Sequence, residues 1–123
     1  PLNGQPSVCP VDPATVMWVL SPPTVVEAFI TAHELPAERF GTSRIVNVPG
    51  LSVSVKEMVE ALERVAGPDV VRRIEWKADP TIRRIASTWP GRLDASRGLA
   101  LGFRTDHDFD GIVRQYMRDE LHR

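Results

Sequence analysis

Eleven prolines are spread along the 123 residues. Each lacks a backbone N–H and holds φ at about −65°, so proline opens or ends a helix but is not carried inside one. The chain is thereby cut into short elements. The best-defined of them lies between Pro49 and Pro68, in Leu51-Ser-Val-Ser-Val-Lys-Glu-Met-Val-Glu-Ala-Leu-Glu-Arg-Val-Ala-Gly67. Ser54 with Glu57 three residues on predicts a capping box, in which the carboxylate reaches back to the N–H of Ser54. Val53 and Met58 stand at the positions of a hydrophobic staple. Val55, Met58, Val59, Leu62, Val65 and Ala66 recur at helical spacing and give one apolar face. Gly67 can close the helix in a left-handed conformation, and Pro68 stops it. Just upstream, Arg44-Ile-Val-Asn-Val-Pro-Gly50 reads as a short strand ending in a turn.

The same reasoning extends along the chain. Ala14–Leu20 is β-branched and apolar enough for a mostly buried strand. Ser21-Pro22 is a good N-cap followed by proline at the first helical position. Thr24–Leu35 then reads as a helix with Val25, Val26, Phe29, Ile30 and Ala32 toward a core. Val70–Lys77 alternates weakly and reads as a strand. Asp79-Pro80 opens a helix bearing Ile82, Ile85, Ala86 and Trp89, stopped by Pro90. Asp94 caps a short helix that closes at Gly102. A last helix is expected from about Asp106 to Glu120, with Phe109, Ile112, Val113, Tyr116 and Met117 on one face. The expected fold is α+β: one small mixed domain over residues 1–123, with three or four short strands and about five helices. Residues 1–13 form a turn-rich lead-in that resembles the middle of a fold, so the domain is expected to be incomplete on its N-terminal side. A start at Pro1 rather than methionine fits a trimmed initiator or a piece of something longer.

Hydrophobic residues make up 42% and charged residues 25%, with a net charge of −1. Nucleic acid or an anionic membrane surface needs a clustered positive field, so neither is expected as a partner. Cys9 stands alone and cannot form an internal disulfide, which favours a reducing, cytoplasmic setting. No apolar run approaches the roughly 20 residues of a membrane span, and there is no basic-then-apolar leader.

Asp106-His-Asp-Phe-Asp-Gly111 spells the opening of a calcium loop, but the twelfth position, which needs a bidentate Glu, is Met117. The acids suit a helix start instead. His33, His107 and His122 have no i,i+4 partner and no cysteine neighbour, so no metal site is expected. Cys9 has no adjacent base to activate it and reads as a small buried hydrophobe. No Gly-rich phosphate turn stands between strand and helix, and Tyr116 is followed at four residues by Glu120, not lysine. No catalytic residue and no cofactor-binding residue can be named within these 123 residues. Ser87-Thr-Trp-Pro-Gly-Arg92 is the one candidate binding element. Trp89 and Arg92 flank a Pro-Gly turn and could wall a pocket and grip an anion. Equally, Trp89 could pack as the last apolar residue of its helix, with Arg92 solvated.

The order of elements resembles the extended short-chain dehydrogenases, the NAD-dependent epimerase/dehydratase family. Arg44–Gly67 is similar to the family's Y-N-[IL]-G-x-G…S-V-x-E-[LMV]-[IV]-x-x-[IL] segment. Leu93-Asp-Ala-Ser-Arg-Gly-Leu-Ala-Leu-Gly-Phe103 resembles its D-x-S-K-A-x-x-x-L-G-W stretch, with Arg97-Gly98 in place of Lys-Ala. Phe109–Met117 matches the final helix, and Trp18–Ala32 resembles the strand leading into the D-V-A helix, with Ser21 at the aspartate's place. The resemblance covers the C-terminal part of such an enzyme, without its Rossmann half, glycine-rich turn and catalytic Tyr-x-x-x-Lys. It implies a substrate-binding segment, NAD bound elsewhere in the parent enzyme and not by this piece alone, and the missing Rossmann domain as partner.

Ala86–Asp94 is most similar to the branch that oxidises a four-carbon sugar acid. Trp89-Pro-Gly-Arg92 stands where nucleotide-sugar epimerases usually carry Arg-Pro-Gly-Asp. The resemblance therefore implies a small sugar acid as substrate, with Arg92 on its carboxylate and Trp89 beside it. A second reading belongs to another class: a free-standing, non-catalytic binding or oligomerisation module. Apolar patches left bare without a Rossmann partner would drive self-association, so a homo-oligomer is among the expected partners.

Overall fold

The computed structural model describes residues 1–121, so His122 lies outside the described residues. In chain order the elements are β1 (Ser7–Cys9), β2 (Val16–Val19), α1 (Pro22–Glu34), a 3-10 turn (Ala37–Phe40) and β3 (Leu51–Ser54). There follow α2 (Val55–Ala66), α3 (Pro68–Val71), β4 (Ile74–Trp76), α4 (Pro80–Ala86), α5 (Ser96–Ala100) and α6 (Phe109–Glu120). The α+β class and the four short strands match expectation. Six α-helices are described, one more than the sequence led us to expect, because Pro68 opens α3 rather than only ending α2.

The strands make two separate ladders. β2 and β3 pair antiparallel, Val16 opposite Ser54 and Val19 opposite Leu51. β1 and β4 pair in parallel, Ser7 opposite Ile74. Pro10 follows β1 directly, and β1 has β4 as its one partner, as an edge strand beside a proline should. The strand expected over Val70–Lys77 is shortened to Ile74–Trp76. Val70 and Val71 belong to α3, where Pro68 is pre-set for the first turn and Asp69 pairs with Arg72 at 2.7 Å.

α2 is the expected amphipathic helix, burying Val55, Ala61 and Leu62. Its cap differs in one bond. Ser54 Oγ accepts from the Glu57 N–H at 3.1 Å, but the Glu57 carboxylate lies 3.2 Å from Ser54 Oγ and takes its hydroxyl proton rather than the backbone N–H. Ser54 ends β3, so its backbone already belongs to the ladder with Val16. α2 packs against α6, and Arg64 holds Asp110 with two hydrogen bonds of 3.1 and 2.7 Å.

The strand expected over Arg44–Val48 is absent. Residues 43–50 run as irregular backbone, and the strand begins at Leu51. Their polar groups are instead met by α5 and β2. Arg97 donates to the carbonyls of Phe40, Ser43 and Ile45. Asn47 Nδ2 donates to Asp94 O at 3.1 Å, and Trp18 Nε1 donates to Val48 O at 3.1 Å. A segment whose carbonyls are satisfied this way has no need of a strand partner. Gly98 lets α5 lie directly on it, because a Cβ there would stand 2.6 Å from the Asn47 carbonyl oxygen. The core beside this contact gathers Ala28, Phe40, Leu101 and Phe103, with Leu35, Val46 and Val48 packed on it.

α1 departs most from expectation. Ser21 caps it and Pro22 opens it as foreseen, but among its residues only Ala28 is buried. Val25, Val26, Phe29 and Ile30 do not face a core, and Phe29 is 73% exposed. The side of α1 that meets the rest of the chain carries Thr24, Ala28 and Thr31, so its large apolar residues lie on the other side. α6 starts at Phe109, three residues later than expected. Asp106 is drawn away to the start of α1, where it accepts from Ser21 N–H, Ser21 Oγ and Thr24 Oγ1 at 2.8, 2.6 and 2.9 Å. Ser21 is thereby the buried polar residue of the core region, at 2% exposure.

Two outcomes follow. Replacing Gly98 by alanine gains about 1 kcal/mol of helix propensity but sets a methyl against backbone, which costs about 1–3 kcal/mol in a packed site. Urea unfolding should show net destabilisation, and a midpoint equal to or above the parent's would contradict the contact. The Arg64 hydrogen bonds, reinforced by the charges of Arg64 and Arg114, hold the Asp110 carboxyl below its ordinary value near 3.8. Stability from this pair is therefore full above that value and is lost as pH falls through the lower folded value. Asp110→Asn should flatten the fall in stability as the pH drops below the ordinary carboxylate range, and an unchanged slope would remove the pair from the acid response.

Candidate functional site

The Trp89–Arg92 turn begins where α4 ends. Asp79 caps α4 by accepting from the N–H groups of Thr81 and Ile82 at 2.9 and 3.1 Å. The helix was expected to run to Trp89 but closes at Ala86. The hydroxyls of Ser87 and Thr88 fold back onto the carbonyls of Arg84 and Ile85 at 2.8 and 2.7 Å. Such local bonds compete with the helical ladder and turn the chain out of the helix. Trp89 is therefore not the last packed residue of α4 but part of the turn, 56% exposed.

The turn is fixed to both strands of the antiparallel β2–β3 pair. Gly91 lies against Val16 so closely that a Cβ would meet the Val16 side chain at 3.0 Å and its carbonyl oxygen at 3.1 Å. Ser52 Oγ donates to the Gly91 carbonyl at 2.6 Å. This places Trp89 and Pro90 beside Met17, Trp18, Val19 and Leu93, around a cleft of about 350 Å³. The cleft is apolar, and Trp18 Nε1 is already engaged with Val48.

Arg92 lies between Pro90 and Leu93 in sequence, is exposed, and makes no hydrogen bond or ion pair among the described residues. It is not among the residues lining the cleft. The acid nearest in sequence, Asp94, is occupied: it accepts from Ser96 Oγ at 2.6 Å and Ser96 N–H at 3.0 Å. Those two bonds hold the Asp94 carboxyl below its ordinary range. The guanidinium of Arg92 is thus left available to an anion from outside.

The remaining candidates are dispersed. Asp106 serves α1, Asp108 caps α6 by accepting from Gly111 N–H at 2.7 Å, and Asp110 pairs with Arg64. Among the described residues no three His, Cys, Asp or Glu side chains come together as a metal site. His33 and His107 are exposed. Cys9 is half-buried, its Sγ 3.8 Å from the Val11 carbonyl. Among the described residues no helix is long and apolar enough to cross a membrane.

Met17, Trp18, Val19 and Leu93 escaped the sequence reading as cleft residues. They meet only through the β2–β3 register and the docking of Gly91, neither of which leaves a local sequence signal. The Pro90-Gly91 pair was the visible trace of that close approach.

No family model matches the chain. It is 47% identical over 119 residues to a D-erythronate dehydrogenase of Cupriavidus necator, covering 97% of this chain and 37% of that protein. A D-erythronate dehydrogenase of Haemophilus influenzae is 37% identical over 121 residues, with 98% and 38% covered. The chain thus spans less than two-fifths of the length of these curated relatives. A solved nucleoside-diphosphate-sugar epimerase from Agrobacterium tumefaciens superposes with a TM-score of 0.93 at 34% identity, over 98% of this chain and 35% of that one. L-Threonine 3-dehydrogenase from Trypanosoma brucei superposes with a TM-score of 0.82 at 26% identity, over 95% and 36%. The fold, the order of elements and these relatives agree: the chain belongs to the extended short-chain dehydrogenases of the NAD-dependent epimerase/dehydratase family and corresponds to the C-terminal part of its longer members.

Proposed function

We propose that this chain is the substrate-side segment of an NAD-dependent dehydrogenase that oxidises a small sugar acid such as D-erythronate. The observation that carries the reading is the Trp89–Arg92 turn, pinned by Ser52 and Gly91 to the antiparallel β2–β3 pair beside an apolar cleft. Arg92 presents an unpaired guanidinium with its neighbouring carboxylate already occupied by Ser96. A planar guanidinium meets a carboxylate with two parallel hydrogen bonds. Trp89 supplies the flat apolar wall against which the carbon chain of the acid rests. The two D-erythronate dehydrogenases support the choice of a sugar acid over a nucleotide sugar.

The residues present do not fit NAD. Each of the three long helices carries a carboxylate at its start: Asp106 at α1, Glu57 at α2, and Asp108 at α6. A pyrophosphate needs free N–H groups and no opposing charge at such a position. NAD therefore belongs to a dinucleotide-binding Rossmann domain outside these residues, together with the groups that move the proton and the hydride. The single domain read over residues 1–123 is then one wall of the active-site cleft. The bare face of α1 supports a large partner, because leaving Phe29 and its neighbours in water forgoes about 1.5–3 kcal/mol per side chain.

The alternative, a free-standing module that self-associates, draws on the same bare face and differs in what covers it. The coding frame decides between them: about 200 residues upstream of Pro1, one dinucleotide-binding domain, are expected. A frame that starts at Pro1 would leave the free-standing module. In the longer protein, Arg92→Ala should raise KM for D-erythronate by about tenfold or more, with a smaller change in kcat, since a charge-assisted hydrogen bond is worth about 1.5–3 kcal/mol. Arg92→Lys should restore part of the loss. An unchanged KM in the alanine variant would take Arg92 out of the site.

A further inference from the structure

A cleft of about 430 Å³ lies where α4 faces the loop that enters β2. α4 lines it with Arg83, Arg84 and Ser87, and the loop lines it with Asp12 and Thr15. Two adjacent guanidinium groups on one wall repel each other unless a negative charge stands near. Their place in the last turn of α4, at the negative end of its dipole, eases that repulsion and leaves their donors unused. Positive charge is concentrated in this part of the chain: residues 72–92 hold six cations against two carboxylates, although the net charge of the whole is −1.

The chain supplies little of the missing counter-charge. The Arg84 guanidinium makes no hydrogen bond or ion pair among the described residues. Arg83 approaches Asp12 at 4.0 Å, too far for a hydrogen bond. Asp12 turns its other oxygen to the Ala14 N–H, which donates at 2.8 Å. Thr15 is half-buried and commits its backbone N–H and carbonyl to Asp12 and Val55, while its hydroxyl has no partner among the described residues. Ser87 gives its hydroxyl proton to the Arg84 carbonyl, which holds the end of α4 at the cleft. The wall is left positive, with two guanidinium groups against one carboxylate. Arg83 and Asp12 also line an adjoining cleft of about 220 Å³, which adds Lys77 and the half-exposed ring of Trp76.

We propose that Arg83 and Arg84, with the Thr15 hydroxyl, bind a phosphate group, either the free ion or a phosphate monoester. A guanidinium fork meets phosphate with two parallel hydrogen bonds. A tetrahedral oxyanion carries enough acceptor oxygens to serve two such forks and a hydroxyl together, whereas a carboxylate has only two. The long contact between Arg83 and Asp12 is loose enough to yield to the incoming anion. A monoester has room for its organic part in the adjoining cleft, against Trp76. The assignment is independent of the sugar-acid reading, because none of these residues lines the cleft beside Trp89.

The test is calorimetric titration of the longer protein with inorganic phosphate and, separately, with glycerol 3-phosphate, at an ionic strength held fixed with chloride. Saturable binding is expected. Arg83→Gln and Arg84→Gln change exposed positions to another good helix former. Each should weaken binding by about tenfold or more, the worth of one charge-assisted hydrogen bond. Arg104→Gln removes the same charge from an exposed arginine outside the cleft and should leave affinity within about twofold. Tighter binding of the monoester would assign the adjoining cleft to its organic part, and equal affinities would assign the site to the phosphate group alone. No saturable binding of either probe, an unchanged affinity in either cleft variant, or an equal loss in Arg104→Gln would each overturn the assignment.

Discussion

The contact between α5 and the irregular stretch 41–50 is the constraint on which the rest of the molecule depends. Eight consecutive residues, 43–50, have no strand partner; Val46 and Val48 pack onto the core and Pro49 is buried, while Ile45 stays on the surface. Arg97 donates to the carbonyls of Ser43 and Ile45 and to that of Phe40 just before them, and Gly98 brings the α5 backbone within reach of Asn47 and the buried Pro49. An arginine suits this position because its planar fork can serve several carbonyls at once, which a lysine ammonium does less rigidly. Without that clamp Val46 and Val48 would not stay against Phe40, Leu101 and Phe103. The course of 41–50 also decides where Trp18 sits, through the bond to the Val48 carbonyl, and so shapes one side of the cleft beside Trp89.

Local chemistry written into a few residues was legible in the sequence. Ser21-Pro22, Ser54 with Glu57, and Asp79-Pro80 each start a helix where a side-chain acceptor precedes good first-turn residues. Gly67, at φ 91°, closes α2 as glycine there should. What escaped was set by distant partners. The β-branched run Ile45-Val46-Asn47-Val48 has strand character, but distant side chains take its carbonyls instead, Arg97 that of Ile45 and Trp18 that of Val48. Asp106 looked like the opening of α6 and is instead held by Ser21 and Thr24, more than eighty positions earlier. Sequence periodicity turned the apolar stripe of α1, with Val25, Val26, Phe29 and Ile30, toward a core, and the structure leaves these residues exposed. It could not tell whether the surface that covers the stripe is part of the same 123 residues.

The candidate site was partly legible for the same reason. Trp89, Pro90, Gly91 and Arg92 announce a turn with an aromatic and a cation, and the turn is there. Its wall of Met17, Trp18 and Val19 arises only when β2 pairs with β3 and Gly91 settles on Val16. Under the proposed reading, the apolar wall and the Arg92 guanidinium, with Asp94 already engaged, take the carboxylate end of a small molecule. The carboxylates at the starts of α1, α2 and α6 make the segment a poor host for pyrophosphate. Under the proposed reading, recognition of the acid and binding of the cofactor are divided between two parts of a longer chain.

That division requires a surface on this segment that the other part covers, and α1 carries it. Phe29 is 73% exposed here, against 4% for Phe103 in the core. Hydroxyl-radical footprinting of the intact longer protein reads the accessibility of both rings in one experiment. The account expects Phe29 to be protected nearly as well as Phe103. A Phe29 that reacts as freely as an open surface aromatic would contradict it, because nothing would then cover the face that makes this chain one side of a cleft.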